Sequence, residues 1–329
     1  MSEPLTRLIE VISQGIGAVS APYLTRQNAN AKAHEIRVIT AALKEAGESQ
    51  NLPVHYQNGE LEMWQKPEDH QLLLEPQSVD ERADSRLDYQ ERRRQANIEN
   101  VTSIAAAELA SAESVAEDSP DEDWVTRFFN SAQDVSSEQM QALWGRILAG
   151  EIRQPGTYSL RTLEVIRNLS QEEAEVIALV GKMAIVASDQ SAFVSLQNRQ
   201  WLSDQRNIER KYSFLLVELG ILYPSELEFQ VFSDEDNSIT SFQHGQRLLR
   251  IERGEINQPI RFRIWGFTEI GKEILSFISF DIDDEYLEQL GLFFVARKGK
   301  AYIGNLKNTL SSGKIEYEII REIVKVPTN

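Results

Sequence analysis

The residue types that most often carry out chemistry in proteins are scarce in this chain. Its 329 residues include no cysteine, which excludes disulfides, thiolate zinc sites, cysteine-ligated iron–sulfur clusters and a cysteine nucleophile. The four histidines are scattered and have no metal-ligand spacing: His34, His55, His70 and His244. We therefore expect no metal, no cofactor and no catalytic residue, and we favour a protein without enzymatic activity over a hydrolase or nuclease whose acidic residues meet only in the fold.

Two further patterns match functional motifs only in part. The spacing from Gly266 to Lys272 is that of a phosphate-binding loop, but Glu273 replaces the serine or threonine that would hold magnesium. An acidic group later in the chain lacks the glycine and the spacing of a calcium loop. We interpret this group as a helix cap and a solvated turn: Asp281, Asp283, Asp284 and Glu285.

A small polar set surrounds the turn at Pro155-Gly156. Two arginines near a glutamate can bind an anionic ligand through paired hydrogen bonds. The same residues can instead form ion pairs that lock two helices together, which is the interpretation we favour. The set consists of Arg146, Glu151, Ser159 and Arg161.

Arginines also occur on two strand-like runs, residues 246–253 and 259–265. We predict that the two runs pair as a hairpin, which would be the one substantial basic feature of the chain. Its arginines are the candidates for nucleic-acid binding: Arg247, Arg250, Arg253, Arg261 and Arg263.

The first segment has apolar residues every three or four positions, which predicts an amphipathic helix. These residues are Leu5, Leu8, Ile9, Ile12, Ile16 and Val19. Such a helix can dock on a partner, or contact a membrane surface through residues 1–24, or pack on its own protein or a second copy. We favour packing, because the polar face lacks the row of lysines and arginines that is typical of an interfacial helix.

Residues 80–115 predict a second long helix, whose first half is almost wholly charged. Arg92, Arg93 and Arg94 form the densest basic cluster of the chain, and the acidic neighbours Asp88 and Glu91 indicate a solvated helix face.

Residues 119–189 then predict four helices, the last running to about residue 187. Their predicted caps are Ser119 with Glu122, Ser136 with Gln139, Ser159, and Ser170 with Glu173.

The later elements predict a mixture of helix and strand. A helix over residues 211–219 is followed by the arginine hairpin and by a helix over residues 269–280 that Thr268 caps, an order expected of a winged-helix-like unit. Short strands are predicted over residues 291–297 and 300–303, with a final segment over 315–326.

Composition sets limits on the class of protein. The chain has 51 acidic and 34 basic residues, a formal net charge of -17, and this field repels nucleic acid and anionic lipid over most of the surface. No apolar run is long enough for a membrane-spanning helix, and Glu3 and Pro4 stand where a secretory signal would be basic. With no cysteine, these features predict a cytoplasmic protein.

The combined expectation is a mainly α fold. N-terminal helices and a capped helical module precede a winged-helix-like α+β unit and a small C-terminal β-containing segment. The predicted domains are residues 1–46 (N-terminal amphipathic helices), 47–79 (loop or linker), 80–189 (helical module), 190–280 (winged-helix-like domain) and 281–329 (C-terminal α/β extension).

Residues 121–177, which include LWGRILAGE, PG and SLRTLEVI, resemble the hallmark block of an uncharacterised bacterial family, domain of unknown function 2806. LIEVISQGIGAVSAPYL, ELGIL and FTEIGKEIL are also similar to that family, which implies no catalytic residues. A more distant likeness, to the abortive-infection alpha family, implies a role in defence against phage. It rests on Ile147-Leu148-Ala149, Leu169-Ser170 with Glu173-Ala174, Leu219-Gly220-Ile221, and Thr268 with Gly271.

The sequence thus predicts a non-enzymatic interaction or regulatory protein of bacteria, as part of an abortive-infection-like defence. Its expected partner is another protein or a second copy of the chain. The alternative is a winged-helix protein that binds nucleic acid.

Overall fold

The computed structural model of the chain describes residues 2–16, 54–57, 60–63, 78–110, 112, 114–233, 238–278, 282–309 and 315–324. The chain forms two compact units, Met1–Gly156 and Thr157–Asn329. Their boundary falls at the predicted Pro155-Gly156 turn, where Gly156 has a φ of 82° that favours glycine.

Unit 1 contains four helices within the described ranges. They are α1 (Glu3–Ile16), α2 (Val79–Leu109), α3 (Glu122–Ala132) and α4 (Glu138–Arg153). Two short strands, β1 (Val54–Gln57) and β2 (Glu60–Met63), pair antiparallel inside the segment that we predicted as a loop or linker.

Local side-chain chemistry starts these helices, although not always at the predicted residue. Ser78 and Glu81 form a capping box on α2. The cap of α3 is Asp121, which accepts a hydrogen bond from the Trp124 N–H at 3.0 Å, so the prediction of Ser119 as the cap is wrong. Asp121 is the cap because its carboxylate lies three residues before Trp124, whose N–H has no carbonyl partner within the helix.

The core of unit 1 lies between α1, α2, α3 and α4. Gly145 of α4 faces Ile104 and the Val101 carbonyl of α2, and a β-carbon there would lie 2.5 Å from Ile104, so glycine permits the close approach of α2 and α4. Phe128 of α3 packs edge-on against Trp144 of α4, with ring centroids 5.2 Å apart. Both rings are buried.

Unit 2 alternates helices and strands. The helices are α5 (Leu160–Asn168), α6 (Gln171–Gly181), α7 (Arg199–Arg206), α8 (Arg210–Glu218), α9 (Glu269–Leu275) and α10 (Asp284–Val295). The strands are β3 (Ile185–Ala187), β4 (Ala192–Ser195), β5 (Leu227–Val231), β6 (Ile239–His244), β7 (Arg247–Glu252), β8 (Ile260–Gly266), β9 (Lys300–Thr309) and β10 (Ile315–Ile323).

The eight strands of unit 2 form one antiparallel sheet with the order β10-β9-β7-β6-β3-β4-β8-β5. The sheet is strongly curved. Phe242 on β6 and Phe262 on β8 belong to strands that β3 and β4 separate, yet their ring centroids are 6.2 Å apart. In a flat sheet these strands would lie roughly 14 Å apart. The rings therefore converge on the concave face.

Helix α10 covers this concave face. The ring of Phe294 lies 6.2 Å from that of Phe242 and 5.9 Å from that of Phe262. At the start of the same helix, the buried phenol oxygen of Tyr286 accepts a hydrogen bond from the Ser195 N–H of β4 at 2.8 Å. Aromatic packing and one buried hydrogen bond thus hold α10 on the sheet.

The prediction of a mainly α fold with a winged-helix-like unit is wrong. The described chain contains an eight-stranded antiparallel sheet, to which the predicted winged-helix region and the predicted C-terminal extension both contribute strands. The predicted hairpin does not form either, because β7 pairs with β6 and β9 whereas β8 pairs with β4 and β5. Strand partners are chosen by contacts between distant residues, which a local pattern does not encode.

Two predicted elements also change type or length. The segment 291–297, predicted as a strand, lies mostly in helix α10, and the helix predicted to reach residue 187 ends at Gly181 before β3. A short apolar run suits a buried helix as well as a buried strand, and α10 is buried along one side.

Candidate interaction surface

The N-terminal part of α2 extends beyond the core of unit 1. Buried residues of α2 begin at Asn97, and none of residues 79–96 is buried. At 1.5 Å per residue, this exposed segment of α2 is about 27 Å long. It carries three large exposed apolar side chains: Val79 (71% exposed), Leu87 (52%) and Tyr89 (65%).

Two of these side chains, Val79 and Leu87, lie on the same side of α2 as the buried Val101. Leu87 precedes the buried Val101 by about four helical turns, and Ala83 precedes it by about five, so both point to the same side as Val101. Val79 lies one turn before Ala83 on that side. Val79, Ala83 and Leu87 form an apolar stripe that no described part of the core covers, and Tyr89 lies outside the stripe, about 120° around the helix axis from Ala83.

Charged residues border the stripe on both sides. With about 100° of rotation per residue, one side carries an acidic row and the other a basic row. The acidic row consists of Asp80, Asp84 and Glu91. The basic row consists of Arg82, Arg86 and Arg93. An apolar stripe between opposite charge rows is the pattern of a helix that packs against another helix.

Polar contacts fix the base of the exposed segment on unit 1. Arg93 donates to the Ser136 hydroxyl at 2.8 Å, and Arg94 pairs with Asp134 at 3.1 Å. The hydrogen bonds from Arg94 to Asp134 and then to Glu91 hold the pKa of its guanidinium above the usual value. Asn97 donates to the Gln133 carbonyl at 2.8 Å. The loop between α3 and α4 therefore marks where the exposed segment ends.

The predicted docking helix, α1, turns its apolar face into unit 1. Leu8 and Ile12 are buried against the other helices, and Arg7 donates to the Ser119 hydroxyl and the Glu117 carbonyl. The other members are half-buried or lie at the exposed end of the helix: Leu5, Ile9 and Ile16. Val19 lies outside the described residues. Contact of α1 with a partner or membrane stays a prediction.

The predicted anion or ion-pair set is divided between the two units. In unit 1, Arg146 is exposed, whereas the buried Glu151 accepts a hydrogen bond from the Gly156 N–H at 2.6 Å. In unit 2, Ser159 caps α5 as predicted, and its N–H donates to Glu273 at 2.7 Å. Arg161 is exposed. Binding of an anion by this set stays a prediction.

The five candidate arginines for nucleic-acid binding lie on or beside two strands that β6, β3 and β4 separate. Arg247 pairs with Asp284 at 2.8 Å, and Arg250 pairs with Glu252 at 2.8 Å. The others contact a backbone carbonyl, a glutamine or a glutamate: Arg253 with Ile256, Arg261 with Gln230, and Arg263 with Glu226. Acidic neighbours thus offset much of the charge, and the nucleic-acid role stays a prediction.

A partly buried polar network surrounds the start of α10. Asp283 caps the helix through the Tyr286 N–H, as predicted for this acidic group, and Arg206 of α7 pairs with it through two nitrogens. Burial raises the pKa of Asp283, but hydrogen bonds from Arg206 and Tyr286 outweigh it and hold that pKa below its usual value. The buried His244 ring contacts the Ala184 carbonyl at 2.9 Å, and burial lowers its pKa. The ion pair joins α7 to the start of α10, and the His244 ring of β6 lies edge-on to Tyr286 of α10 with centroids 5.8 Å apart.

A cleft of about 270 Å³ lies on the outer face of the sheet, away from the aromatic core. Arg250 and Tyr317 form one side, joined by a hydrogen bond of 2.7 Å, and Ser241 and Gln243 of β6 form the other. Glu252, which pairs with Arg250, offsets the one positive charge among these four residues.

Metal-binding clusters and membrane-spanning helices are both absent from the described ranges. There, no group of three or more histidine and acidic residues could hold a metal ion. Among the helices of the same ranges, none is both long and apolar enough to cross a membrane.

Comparison with known proteins gives a family but no activity. No curated protein matches the chain, and no solved structure matches it. The sequence profile of one family, described as protein of unknown function (DUF2806), matches residues 81–291. This match begins in the exposed segment of α2 and ends in α10, and it covers well over half of the chain. The chain therefore belongs to the DUF2806 family.

Proposed function

We propose that this chain is a non-enzymatic interaction protein whose docking surface is the exposed segment of α2. The observation that carries the proposal is the apolar stripe of Val79, Ala83 and Leu87, which lies on the same side of α2 as the buried Val101 and is separated from the core by Gln90 and Arg94. Covering an exposed leucine or valine contributes about 1.5–3 kcal/mol. A partner that covers the stripe thus gains binding free energy from a helix that is already formed.

The charge of the chain favours a protein as this partner. A net charge of -17 opposes nucleic acid and anionic lipid, and the exposed segment carries acidic and basic rows in equal number. Mixed rows beside an apolar stripe suit a protein helix.

The setting of this interaction is a separate proposal. The absence of cysteine supports a cytoplasmic location. A role in bacterial defence against phage rests on the short abortive-infection-like patterns, such as Leu219-Gly220-Ile221. If the chain acts in defence, deleting its gene from a host that carries it raises the plaque count of at least one phage. An unchanged count across a broad phage panel removes this part of the proposal.

Substitution of Leu87 tests the docking surface. Leu87→Glu places a charge in the stripe, whereas Tyr89→Glu places the same charge outside the stripe on the same helix, at a more exposed residue. The tagged chain and both variants are recovered from source cells, and copurifying proteins are quantified. We expect Leu87→Glu to lower the yield of a stoichiometric partner at least tenfold, because one lost apolar contact is worth about 1.4 kcal/mol or more. Tyr89→Glu should retain the partner.

Two results would overturn the proposal. One is equal partner recovery by Leu87→Glu and Tyr89→Glu. The other is a melting temperature that Leu87→Glu alone lowers by several degrees in the purified chain, because residues of the chain itself would then cover the stripe.

A further inference from the structure

The two charge rows restrict which helix can cover the stripe. Viewed along α2, Asp84 and Glu91 lie on one side of Leu87, and Arg86 and Arg93 lie on the other. Residues on either side of an apolar seam form ion pairs across a helix pair, and these pairs select the partner. The covering helix should therefore place basic residues beside the acidic row and acidic residues beside the basic row.

A second copy of the chain does not meet this requirement in the antiparallel orientation. Two antiparallel helices related by a two-fold axis place each side next to the same side of the other copy. Asp84 and Glu91 would then face acidic residues, and Arg86 would face arginine. Like charges placed opposite one another suppress such pairing.

The parallel orientation of a second copy meets a steric obstacle. In that orientation opposite charge rows would meet, but the two α2 helices would also run side by side along residues 97–109. In those residues the same face of α2 is buried against α4, where Gly145 lies in contact with Ile104. A second helix cannot enter the space that α4 fills.

We infer that the partner is a helix of another protein, with an apolar stripe bordered by a basic row on one side and an acidic row on the other. This inference rests on the proposed function, and it adds the chemistry of the partner. The exposed segment is about 27 Å long, so the covering helix needs about 18 residues. The α3–α4 loop, which holds Arg93 and Arg94 through Ser136 and Asp134, limits it at one end.

Three synthetic 18-residue helical peptides test the inference. All share one leucine stripe, and they differ only in the residues beside it. One has a lysine row and a glutamate row, one has two lysine rows, and one has two glutamate rows. The mixed peptide matches both charge rows of α2 in one binding direction, and a free peptide can adopt that direction. Long-range attraction to a chain of net charge -17 favours the two-lysine peptide, so the comparison separates local pairing from net charge.

We expect the mixed peptide to bind the full chain about fivefold more tightly than either other peptide, measured by fluorescence anisotropy at 150 mM salt. Arg86→Glu places a carboxylate in the middle of the basic row, between Arg82 and Arg93, and should shift the preference towards the two-lysine peptide. Arg92→Glu makes the same charge change on the far side of the helix, where Arg92 is 80% exposed and pairs with Asp88, and should leave the preference unchanged.

The possible results separate this inference from the proposed function. Tightest binding by the two-lysine peptide to the unmodified chain overturns the inference, as does an equal response to Arg86→Glu and Arg92→Glu. A dimer of the chain that Leu87→Glu dissociates in sedimentation equilibrium also overturns it, because the partner is then a second copy. In each case the copurification result with Leu87→Glu still decides the proposed function.

Discussion

The hydrogen bond between Tyr286 and Ser195 provides a direct test of how α10 is held on the sheet. Tyr286→Phe removes one oxygen and keeps the ring, which stacks on Trp201 with centroids 6.3 Å apart. Ser195 is only 3% exposed, so its N–H loses an acceptor 2.8 Å away in a site that water does not reach freely.

The expected loss follows from that burial. Leaving a buried donor unsatisfied costs about 1–3 kcal/mol, and apolar contacts of the ring are unchanged, so we expect the free energy of unfolding of unit 2 to fall by about 2 kcal/mol. For a unit of this size, that corresponds to a drop of roughly 4–8 °C in melting temperature. Burial also raises the pKa of the Tyr286 phenol, so the hydroxyl stays protonated across the neutral range.

Two measurements check this prediction. Urea unfolding followed by tryptophan fluorescence gives the change in free energy, and hydrogen exchange with mass spectrometry reports the protection of the Ser195 amide. Tyr223→Phe is the matched control, because Tyr223 is 44% exposed, and it should change stability by less than about 0.5 kcal/mol. If Tyr286→Phe is as stable as the control and Ser195 keeps its protection, the assignment of this bond as a fastening of α10 is incorrect.

Two further substitutions probe the network at the start of α10. Arg206→Ala should lower the free energy of unfolding by about 2 kcal/mol, because it leaves the carboxylate of Asp283, whose side chain is only 13% exposed, without its ion pair; equal urea midpoints for variant and parent chain would contradict this. His244→Gln should reduce the loss of stability between pH 7.5 and 5.5. Burial holds the pKa of His244 below 6.5, so the unfolded chain binds the proton first. The free energy of unfolding therefore falls as the pH drops below about 6.5, by at most about 1.4 kcal/mol per pH unit. A variant as sensitive to pH as the parent would exclude His244 as the cause.

Features that depend on a few neighbouring residues were predictable from the sequence. Ser159 caps α5, Ser170 and Glu173 form a capping box on α6, and Thr268 caps α9, all as predicted. Each of these caps involves side chains and N–H groups no more than three residues apart. The incorrect caps at Ser119 and Ser136 show the limit of this reasoning: Asp121 caps α3, and α4 begins after Ser137, which makes no side-chain cap hydrogen bond.

Features that depend on distant residues were not predictable. Leu292 to Val295 is a continuous apolar run whose type is decided by the aromatic face that it covers, and it forms the end of α10 rather than a strand. Strands β3 and β4 have three and four residues, too few for a periodic signal. The separation of β7 from β8 likewise depends on β6, β3 and β4 pairing between them.

The candidate surface was only partly visible in the sequence. The charged first half of the long helix predicts a solvated face, and Arg92 is indeed 80% exposed. Leu87 alone within this run gives no signal. Only the structure shows that Val101 faces the core and that no residue of α2 before Asn97 is buried. These two facts identify Leu87 as an exposed residue on the core-facing side of the helix.

The strand order of unit 2 has a consequence for synthesis of the chain on the ribosome. The β3–β4 hairpin lies in the middle of the sheet, but its neighbours β6 and β8 follow roughly fifty to seventy residues later. At about 5–20 residues per second, the hairpin leaves the ribosome about 3–14 seconds before either neighbour. All four residues of β4 are buried in the finished sheet, so the nascent chain carries two unpaired, apolar strand edges during that interval. The hairpin is thus a site where a chaperone would bind the growing chain.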